Sequence, residues 1–468
     1  MYGKVTSQVM EKLKEIVGEA ALLTDKVDKE GYSHDETTGL RHLPEVVVRP
    51  NNTDQVAKIL LLVNEEKIPL TPRGGGTGLS GGAIPIFGGI VLSLERMNRI
   101  LEVDRDNLMI TVESGVITGE LRREVEKYSL FYPINPASLD SCTIGGNVAQ
   151  STAAANTVKY GSTKDYVCGL EAVLPTGEVI KMGGKLVKNA TGYKLMNLLV
   201  GSEGTLAVIT RVILRLLPLP EIKVNLLVPF NDLISCSKAI RQIIKSKIIP
   251  TTLDFMDNEC IKACEKFLKK ELPFNQAKVH LLIEIDGGKE DNLEEKNIKI
   301  GEICFENKAL DVLIAEDRPT QERLWEARQN VREALMSVSA VIDEEDVVVP
   351  RSELTYLLEG LEKISKRYSL PIINYGHPGD GNVHANILKK DMSKEKWKKV
   401  VPRMVKEIFE LTLSLGGMIS GEHGIGIAKK RYLPLAIDST QIELMRRIKR
   451  TFDPNNILNP GKMFDVYQ

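Results

Sequence analysis

Apolar and polar positions along the first part of the chain predict a strand, a helix and a second strand. Residues 45–50 form a short apolar run typical of a strand, and Thr53 is a plausible N-cap for a helix through about Glu66. Residues 68–71 predict the second strand, which ends at Gly74. This order predicts a β-α-β unit whose second strand runs into a glycine-rich loop.

The same order of elements recurs in the second half of the chain. Residues 346–350 predict a strand, Ser352 caps a helix to about Arg367, and residues 370–374 predict a strand that ends at Gly376. In α/β sheets, ligands bind at loops that follow the C-terminal ends of strands. The chain is therefore predicted to contain two α/β centres, each with its own chemistry.

The proline-marked segment 216–220 predicts a domain boundary, because the residues after it are richer in lysine and poorer in glycine. A chain of 468 residues exceeds what one hydrophobic core usually supports. We predict one domain over residues 1–218, a second over 219–423 and a C-terminal segment over 424–468. That last segment should contain a helix at 439–451.

Charge and composition exclude several classes of protein. The formal net charge is −1 and the sequence pI is about 6.7, so no global attraction for nucleic acid or an anionic membrane is expected. Six cysteines in a chain this long do not make a disulfide framework. No signal peptide or membrane-spanning run is evident, which predicts a cytoplasmic protein.

The glycine-rich loop predicted after the second strand suits a pyrophosphate. Residues 72–82 contain six glycines, whose exposed backbone N–H groups can form an anion-binding nest. A flexible surface loop is the alternative. Residues 76–81 match the letters GxGxxG, but Pro85 and a predicted strand at 90–94 follow where a nicotinamide-nucleotide site needs a long helix.

Two further segments favour a different dinucleotide. Residues 135–149 are rich in small and hydroxyl side chains, which let a flat ring system lie against the backbone and donate hydrogen bonds to its polar edge. Residues 201–210 form a glycine turn that enters a strand.

Three of the six histidines fall in two short motifs. A Pro-Gly-Asp-Gly turn separates His377 from His384 and can bring the two imidazoles together. Glu422 and His423 are adjacent on a glycine-flanked loop. Two histidines and one carboxylate leave positions open on a divalent ion. The other histidines lack any such motif and are interpreted as structural: His34, His42 and His280.

These motifs, in this order, resemble those of the FAD-linked oxidases of the vanillyl-alcohol oxidase type. The resemblance is closest to the glycolate oxidase/D-lactate dehydrogenase/D-2-hydroxyglutarate dehydrogenase branch, and it covers essentially the whole chain. It implies an α+β fold with a two-part FAD-binding domain (1–218) and an α/β substrate or cap domain with a metal site (219–423). The C-terminal segment (424–468) would return to the FAD domain. The motifs that carry the resemblance lie at 73–82, 135–149, 160–161, 202–210, 377–384, 421–426 and 459–462.

The resemblance implies FAD as cofactor, with the glycine loop at its pyrophosphate and residues 136–138 and 143–146 along the flavin. Cys142 is the one thiol near these loops, and the motif is similar to the non-covalent branch, so we expect dissociable FAD. The implied contacts are Arg73, Gly74, Gly75, Gly76, Thr77, Gly78, Ser80, Pro136, Ala137, Ser138, Cys142, Thr143, Gly145, Gly146, Ala149, Gly161, Glu203, Gly204, Ile209 and Asn459.

The resemblance also assigns roles around the histidines. His377, His384 and Glu422 match the family's metal ligands, for which zinc, manganese or ferrous iron are all suitable. His423 matches its catalytic base, and Asn382 matches a neighbouring polar contact.

Arg328 lies in a segment that resembles the family's motif for binding the substrate carboxylate. An arginine can bind a carboxylate through two hydrogen bonds. The alternative is that Arg328 lies on a solvated helix face. Where 2-hydroxyglutarate enzymes carry a lysine and an aromatic residue, this chain has four acidic residues, 343–346. A short substrate such as D-lactate or glycolate is therefore expected.

The expected reaction is oxidation of the 2-hydroxy acid by hydride transfer to the flavin, with His423 as the base. The sequence has no NAD site and no iron–sulfur motif, so an external acceptor is expected. The resemblance implies an electron-transferring flavoprotein, as in electron-bifurcating complexes, an iron–sulfur partner subunit, or a quinone or cytochrome. Alternatives are an FAD-holding electron-transfer subunit of a larger redox complex, a D-2-hydroxyglutarate dehydrogenase, or an oxidase that makes hydrogen peroxide.

Overall fold

The structure of the chain is a computed structural model that describes residues 2–315 and 317–466. The chain forms two compact units and crosses from one to the other four times. The first unit comprises Met1–Ala153, Ser162–Leu219 and Glu422–Gln468, and the second comprises Ala154–Gly161 and Pro220–Gly421.

Eighteen strands and sixteen α-helices are present in the described residues. The strands are β1 (Leu22–Leu23), β2 (Val46–Val48), β3 (Leu70–Arg73), β4 (Ile90–Ser93), β5 (Ile100–Asp104), β6 (Met109–Glu113), β7 (Leu130–Phe131), β8 (Val167–Val173), β9 (Val179–Gly183), β10 (Val208–Arg215), β11 (Leu217–Pro218), β12 (Ile222–Phe230), β13 (Thr252–Asp257), β14 (Val279–Gly287), β15 (Leu313–Ala315), β16 (Ile342–Val348), β17 (Ile372–Gly376) and β18 (Asn382–Leu388). The helices are α1 (Ser7–Val17), α2 (Lys26–Glu30), α3 (Thr53–Glu65), α4 (Thr118–Glu126), α5 (Ile144–Gln150), α6 (Thr157–Tyr160), α7 (Leu195–Leu199), α8 (Leu233–Lys245), α9 (Asn258–Leu268), α10 (Leu293–Glu306), α11 (Arg318–Gln329), α12 (Val331–Val338), α13 (Leu354–Tyr368), α14 (Lys394–Ser414), α15 (Leu433–Ala436) and α16 (Ser439–Phe452).

The first unit contains two main sheets. A four-stranded sheet has the order β1-β2-β4-β3, in which β4 pairs in parallel with both of its neighbours. An antiparallel five-stranded sheet has the order β5-β6-β10-β8-β9. Each sheet has its own apolar core, packed with α1 and α3 in the first and with α4 and α5 in the second.

The second unit is built on one seven-stranded sheet of order β15-β12-β14-β13-β17-β18-β16, in which every neighbouring pair is antiparallel. Helices α9, α11 and α12 cover an apolar cluster that includes residues of β13, β14 and β17. The chain enters this unit early, because α6 belongs to it and packs against β13.

Both predicted β-α-β units have a third strand between their two strands. In the first unit β4 lies between β2 and β3, and in the second β18 lies between β17 and β16. The loop after the inner strand therefore neighbours both outer strands. In the first unit the inner strand is parallel to both outer strands, and in the second unit it is antiparallel to both.

Two predicted helix caps are wrong by one or two residues. Asn52, not Thr53, caps α3. The backbone of Asn52 is extended at the helix start, and its side-chain oxygen accepts from the N–H of Gln55 at 3.0 Å. Ser352 does not cap α13, since its hydroxyl donates to the carboxylate of Glu353 at 2.9 Å inside a short 3₁₀ turn.

The strand predicted at 346–350 begins earlier and ends earlier, at Ile342–Val348. The acidic run 343–346 therefore lies within the strand instead of before it. The fully buried Asp346 is tolerated in the strand because its carboxylate is hydrogen-bonded. No helix among the described residues is both long and apolar enough to cross a membrane.

Candidate active site

The glycine-rich loop that follows β3 packs directly against the segment that precedes α5. A Cβ atom added at Gly74 would lie 2.3 Å from Thr143 Oγ1, and one at Gly75 would lie 2.1 Å from the carbonyl oxygen of Ser141. Only glycine fits at these positions, because a Cβ would overlap neighbouring atoms. Two of the segments assigned to FAD from the sequence are thus in contact within the first unit.

The start of α5 is held equally closely. The hydroxyl of Thr143 accepts from the N–H of Gly146 at 3.2 Å and caps the helix. The N–H of Gly145 donates to the carbonyl of Ser114 at 2.7 Å, and a Cβ at Gly145 would lie 2.5 Å from Ser114 Cβ. The small residues of this segment therefore permit close packing of backbone on backbone.

Asn459 joins the C-terminal segment to the glycine-rich loop. Its side-chain Nδ2 donates to the carbonyls of Gly82 at 3.0 Å and Glu203 at 2.8 Å, and its backbone N–H donates to the carbonyl of Leu70 at 2.7 Å. The C-terminal segment therefore returns to the first unit, where the sequence places the cofactor.

Several buried polar atoms in these segments have no hydrogen-bond partner among the described residues. Buried polar groups normally have one, so their presence favours a polar ligand. FAD, which carries hydrogen-bonding groups along its whole length, fits this donor and acceptor set. The atoms are Ser80 Oγ, Ser114 Oγ, Gln150 Oε1 and Asn459 Oδ1.

Arg73 has a structural contact that the sequence did not indicate. Its guanidinium donates to the carbonyls of His34 at 2.7 Å and Gly31 at 3.1 Å, and its Cζ lies 5.6 Å from the ring centroid of Tyr32. Arg73 therefore ties the start of the glycine-rich loop to the segment at residues 31–34.

Glu422 and His423 are the first two residues of the C-terminal segment of the first unit. His423 Nε2 lies 3.8 Å from Glu422 Oε1, and the two side chains are 15% and 16% exposed. Both side chains are thus largely buried and keep a small exposed fraction.

In the second unit, His377 and His384 lie on one tight hairpin. The backbone N–H of His377 donates to the carbonyl of Asn382 at 3.0 Å, and the N–H of Asn382 donates back to His377 at 3.2 Å. The two imidazole centroids are 5.4 Å apart, with the ring planes perpendicular. The Pro-Gly-Asp-Gly turn brings the two rings together, as its sequence predicts.

A buried carboxylate on β13 links two of the predicted site residues. Asp254 is 1% exposed. Its Oδ1 lies 2.5 Å from His377 Nδ1, and its Oδ2 lies 2.7 Å from Arg328 Nε. Burial acts to raise the pKa of Asp254, but the charges of Arg328 and His377 outweigh it and lower that pKa below its usual value.

Arg328 does not lie on a solvated helix face. Its side chain is only 12% exposed, and its Cζ lies 4.8 Å from the ring centroid of Tyr375. The aromatic face and the carboxylate of Asp254 together hold the guanidinium in a fixed orientation.

Glu344 brings a further carboxylate to this cluster. The hydroxyl of Tyr375 donates to Glu344 Oε1 at 3.1 Å, and Arg332 Nε lies 3.5 Å from Glu344 Oε2. His384 Nδ1 lies 3.8 Å from Glu344 Oε1. One of the acidic residues that the sequence singled out therefore faces the histidine hairpin.

Asn382 is held by the neighbouring strand. Its Nδ2 donates to Asp346 Oδ1 at 2.7 Å and to the carbonyl of Val347 at 3.0 Å. Asp346 also accepts from the hydroxyl of Ser420 and the N–H of Gly421, each at 2.9 Å. This carboxylate thus fixes both Asn382 and the end of the second unit.

The predicted site residues are divided between the two units. The second unit contains Gly161, Arg328, His377, Asn382 and His384, and the first unit contains Glu422, His423 and the remaining predicted cofactor contacts. The structure brings Arg328, His377 and His384 into one cluster, and it brings the glycine loop, the start of α5 and Asn459 into another.

Asp254 belongs to this cluster although no motif identified it, and Glu344 was singled out only as one of the acidic residues 343–346. Asp254 stands in β13, between the buried residues Leu253 and Phe255. An acid between apolar residues inside a strand signals a buried charge with a partner. That signal is present in the sequence, although it does not name the partner.

Comparison with known proteins is consistent with this geometry. Residues 44–183 match the FAD binding domain family, and residues 219–463 match the family of FAD linked oxidases, C-terminal domain. The chain belongs to the FAD-linked oxidase family. Its fold class, predicted from the sequence as α+β with an FAD-binding domain of the vanillyl-alcohol oxidase type, is confirmed.

Relatives of this FAD-linked oxidase match it over nearly its whole length. The glycolate oxidase subunit GlcD of Bacillus subtilis (strain 168) is 40% identical over 460 residues, which cover 98% of this chain and 97% of that protein. A D-lactate dehydrogenase of Anaerostipes hadrus is 38% identical, with 99% and 98% covered. The structure of p-cresol methylhydroxylase with substrate bound has a TM-score of 0.79 at 17% identity, with 98% and 97% covered, and shows the shared fold.

These matches establish FAD as the cofactor and oxidoreductase chemistry as the activity of the chain. The segments that would hold the cofactor are those with closely packed glycines and buried polar atoms in the first unit.

Proposed function

We propose that this FAD-linked oxidase is a dehydrogenase that oxidises a short D-2-hydroxy acid, D-lactate or glycolate, to the 2-oxo acid. The observation that carries the proposal is the buried array in which Asp254 joins Arg328 to His377. It supplies a carboxylate-binding cation beside an oriented imidazole, the two groups that a 2-hydroxy acid requires. The relatives named for glycolate and D-lactate support the same substrate class.

Arg328 is proposed to bind the carboxylate of the substrate. Its guanidinium forms an ion pair with Asp254, in which Nε lies 2.7 Å from Oδ2, so the cation is held beside this carboxylate and can present its terminal amino groups to a second carboxylate. Because its orientation is fixed in advance, little side-chain entropy is lost when the substrate binds.

A divalent ion is proposed to be held by His377, His384 and Glu422. An imidazole that donates its Nδ1–H to a carboxylate carries its lone pair on Nε2, as metal-binding histidines do, and the contact of His377 with Asp254 fits this pattern. Bound there, such an ion would make the C2 hydroxyl of the substrate more acidic.

His423 is proposed to take the proton of that hydroxyl. FAD supplies the acceptor for the hydride that leaves C2, so the substrate loses one proton and one hydride and becomes the 2-oxo acid. Asn382 Oδ1 has no partner among the described residues, and we assign it to a polar contact with the reacting group.

A short substrate is favoured by the charge of the cluster around the histidine hairpin. Glu344 is 3.8 Å from His384 and would face any second carboxylate of a longer substrate. Like charges brought close together in a largely buried site disfavour binding. This supports D-lactate or glycolate over D-2-hydroxyglutarate.

FAD is proposed to be dissociable, and its electrons are proposed to pass to an external protein such as an electron-transferring flavoprotein or an iron–sulfur partner subunit. Cys142, the thiol nearest the predicted flavin segments, is buried, and its Sγ contacts Thr118 Oγ1 at 3.3 Å. It is thus engaged in the protein interior, which supports non-covalent binding.

An anaerobic substrate screen tests the proposed function. D-lactate or glycolate is expected to bleach the bound flavin without any partner protein, whereas L-lactate and D-2-hydroxyglutarate should reduce it far more slowly. A chelator should abolish bleaching, and zinc, manganese or ferrous ions should restore it. If none of these acids reduces the flavin, the chain is instead an electron-transfer subunit; oxygen uptake with peroxide formation would indicate an oxidase.

Substitution Asp254→Asn is expected to weaken both metal and substrate binding. The amide cannot accept a strong hydrogen bond from His377 and balance Arg328 at once, and removal of such a carboxylate partner typically lowers metal affinity by about 10- to 100-fold. Metal affinity is measured by chelator competition, and KM by flavin reduction.

Asp257→Asn is the matched control for this substitution. Asp257 is a partly buried acid on the same strand, but it accepts from the backbone N–H groups of Asn374 at 2.6 Å and Cys260 at 3.0 Å. Equal metal affinity in the two variants would show that Asp254 does not support the metal site.

A further inference from the structure

The carboxylate of Glu203 binds the loop that carries Glu422 and His423. Its Oε1 accepts from the backbone N–H of Ile425 at 2.8 Å, and its Oε2 accepts from that of Gly426 at 2.7 Å. Glu203 is 6% exposed. Both oxygens of a buried carboxylate are therefore used on two successive amides, two and three residues after His423.

The loop lies so close to this carboxylate that no side chain fits between them. Gly424 has φ +80°, and a Cβ there would lie 2.8 Å from both Glu203 Oε1 and Gln150 Oε1. A Cβ at Gly426 would lie 2.1 Å from the carbonyl oxygen of Ser80. The glycines of this motif thus let the loop backbone rest on Glu203.

Glu203 is itself fixed from the opposite side. Its φ is +53°, a strained value for a non-glycine residue. Its N–H donates to the carbonyl of Ala149 at 2.8 Å, and its own carbonyl accepts from Asn459 at 2.8 Å. A strained backbone held by two long-range bonds indicates that the direction of this side chain is constrained by its surroundings.

The pKa of this carboxylate is raised above its usual value. Burial of Glu203 is the larger cause, and the two loop amides and Lys462 oppose it only in part. Lys462 is 3% exposed, and its Nζ donates to the carbonyl of Ile84 at 2.7 Å.

We infer that Glu203 is a positioning residue that holds the loop of Glu422 and His423 in place for the reaction. The inference rests on the proposed function, in which His423 is the base. It differs from the direct cofactor contact that the family resemblance implies for Glu203. Because both oxygens bind the loop, the principal effect of Glu203 is expected on that loop and not on FAD affinity.

Glu203→Gln tests the inference, with Glu113→Gln as matched control. The glutamine side chain keeps one acceptor oxygen, but its NH₂ group faces the second loop N–H and cannot accept a hydrogen bond from it. Glu113 is also buried in the first unit, where it accepts from Arg99 Nη2 at 2.7 Å and Nε at 3.1 Å. The control therefore reports the general cost of altering a buried carboxylate.

Hydrogen exchange of peptides that span residues 421–428 is measured on the FAD-loaded proteins. In Glu203→Gln, exchange of the loop amides should speed up by about tenfold or more, because these amides lose a charged acceptor. Glu113→Gln should leave these peptides unchanged. Unchanged loop exchange in Glu203→Gln would overturn the inference.

Kinetics and cofactor retention complete the test. With D-lactate, kcat for flavin reduction should fall about 100-fold because the base is misplaced, with KM nearly constant. The fraction of FAD retained on dilution should match that of Glu113→Gln, and Glu203→Asp should restore part of the rate. Loss of FAD with unaltered loop exchange would indicate the cofactor role instead. Faster loop exchange with an unchanged rate of flavin reduction would support the contact between Glu203 and the loop but would refute the role of Glu203 in positioning His423.

Discussion

Substitution His423→Ala is expected to slow reduction of the bound flavin by D-lactate about a thousandfold and to leave the FAD content unchanged. General bases contribute roughly 10²- to 10⁴-fold to rate, and no other imidazole lies in the loop of Glu422 and His423. The FAD segments of the first unit are held by their own contacts, so the variant should still fold and bind FAD. Stopped-flow absorbance of the flavin under anaerobic conditions measures the rate.

Three comparisons make this result specific. Dithionite should reduce the variant flavin as fast as the wild type, because that reaction needs no substrate base. His42→Ala, which alters an exposed histidine whose Nδ1 lies 3.2 Å from the carbonyl of Leu43, should have no effect. Added imidazole should restore part of the rate. A His423→Ala enzyme that keeps more than a few per cent of the wild-type rate would show that another group takes the proton.

Local sequence rules predicted the parts of the site that depend on neighbours in the chain. The turn between His377 and His384 is encoded by proline and glycine at fixed positions, and the hairpin forms there. The glycine-rich loop after β3 is predicted in the same way. Both features arise from backbone preferences within about ten residues.

The contacts that orient these groups could not be predicted, because they join distant parts of the chain. Asp254 and His377 are 123 residues apart in sequence, and Glu203 and Gly426 are 223 apart. Which buried acid meets which donor is decided by strand order and tertiary packing. The sequence shows that β13 contains a buried acid, but only the fold shows its partners.

The early entry of residues 154–161 into the second unit is a further example. Tyr160 donates its hydroxyl to Asp286 at 2.9 Å, and the Nζ of Lys159 donates to the carbonyl of Asp286 at 2.9 Å. A Cβ at Gly379, in the histidine hairpin, would lie 3.0 Å from a methyl group of Val158. A short segment with no strong periodicity thus supports the hairpin, which hydrophobic patterning does not reveal.

Substitution Lys449→Met should destabilise the first unit by about 3–5 kcal/mol, the usual cost of leaving one member of a buried ion pair alone. Lys449 is 3% exposed, and its Nζ contacts Asp453 Oδ2 at 2.5 Å. The same Nζ donates to the carbonyls of Thr205 at 2.7 Å and Leu458 at 2.8 Å. Methionine matches the length of lysine but satisfies none of these three oxygens.

Lys58→Met is the matched control, because Lys58 and Asp54 form an exposed pair in the same unit, with the same i, i+4 spacing and a distance of 2.7 Å. An exposed pair of this kind contributes about 0.3–0.5 kcal/mol, so the control should unfold almost as the wild type does. Both tryptophans, Trp325 and Trp397, belong to the second unit, so release of flavin fluorescence during urea unfolding is the suitable probe of the first.

The Lys449 contacts also lie beside the cofactor segments, which links stability to FAD retention. Thr205 lies two residues after Glu203, and Leu458 directly precedes Asn459. Loss of the Lys449 ammonium therefore removes one hydrogen bond beside each of these two residues. Lys449→Met should therefore release flavin at a lower urea concentration and also bind FAD more weakly in the absence of urea. Equal urea midpoints for the Lys449 and Lys58 variants would mean that the buried pair adds no net stability and that other contacts hold the C-terminal segment in place.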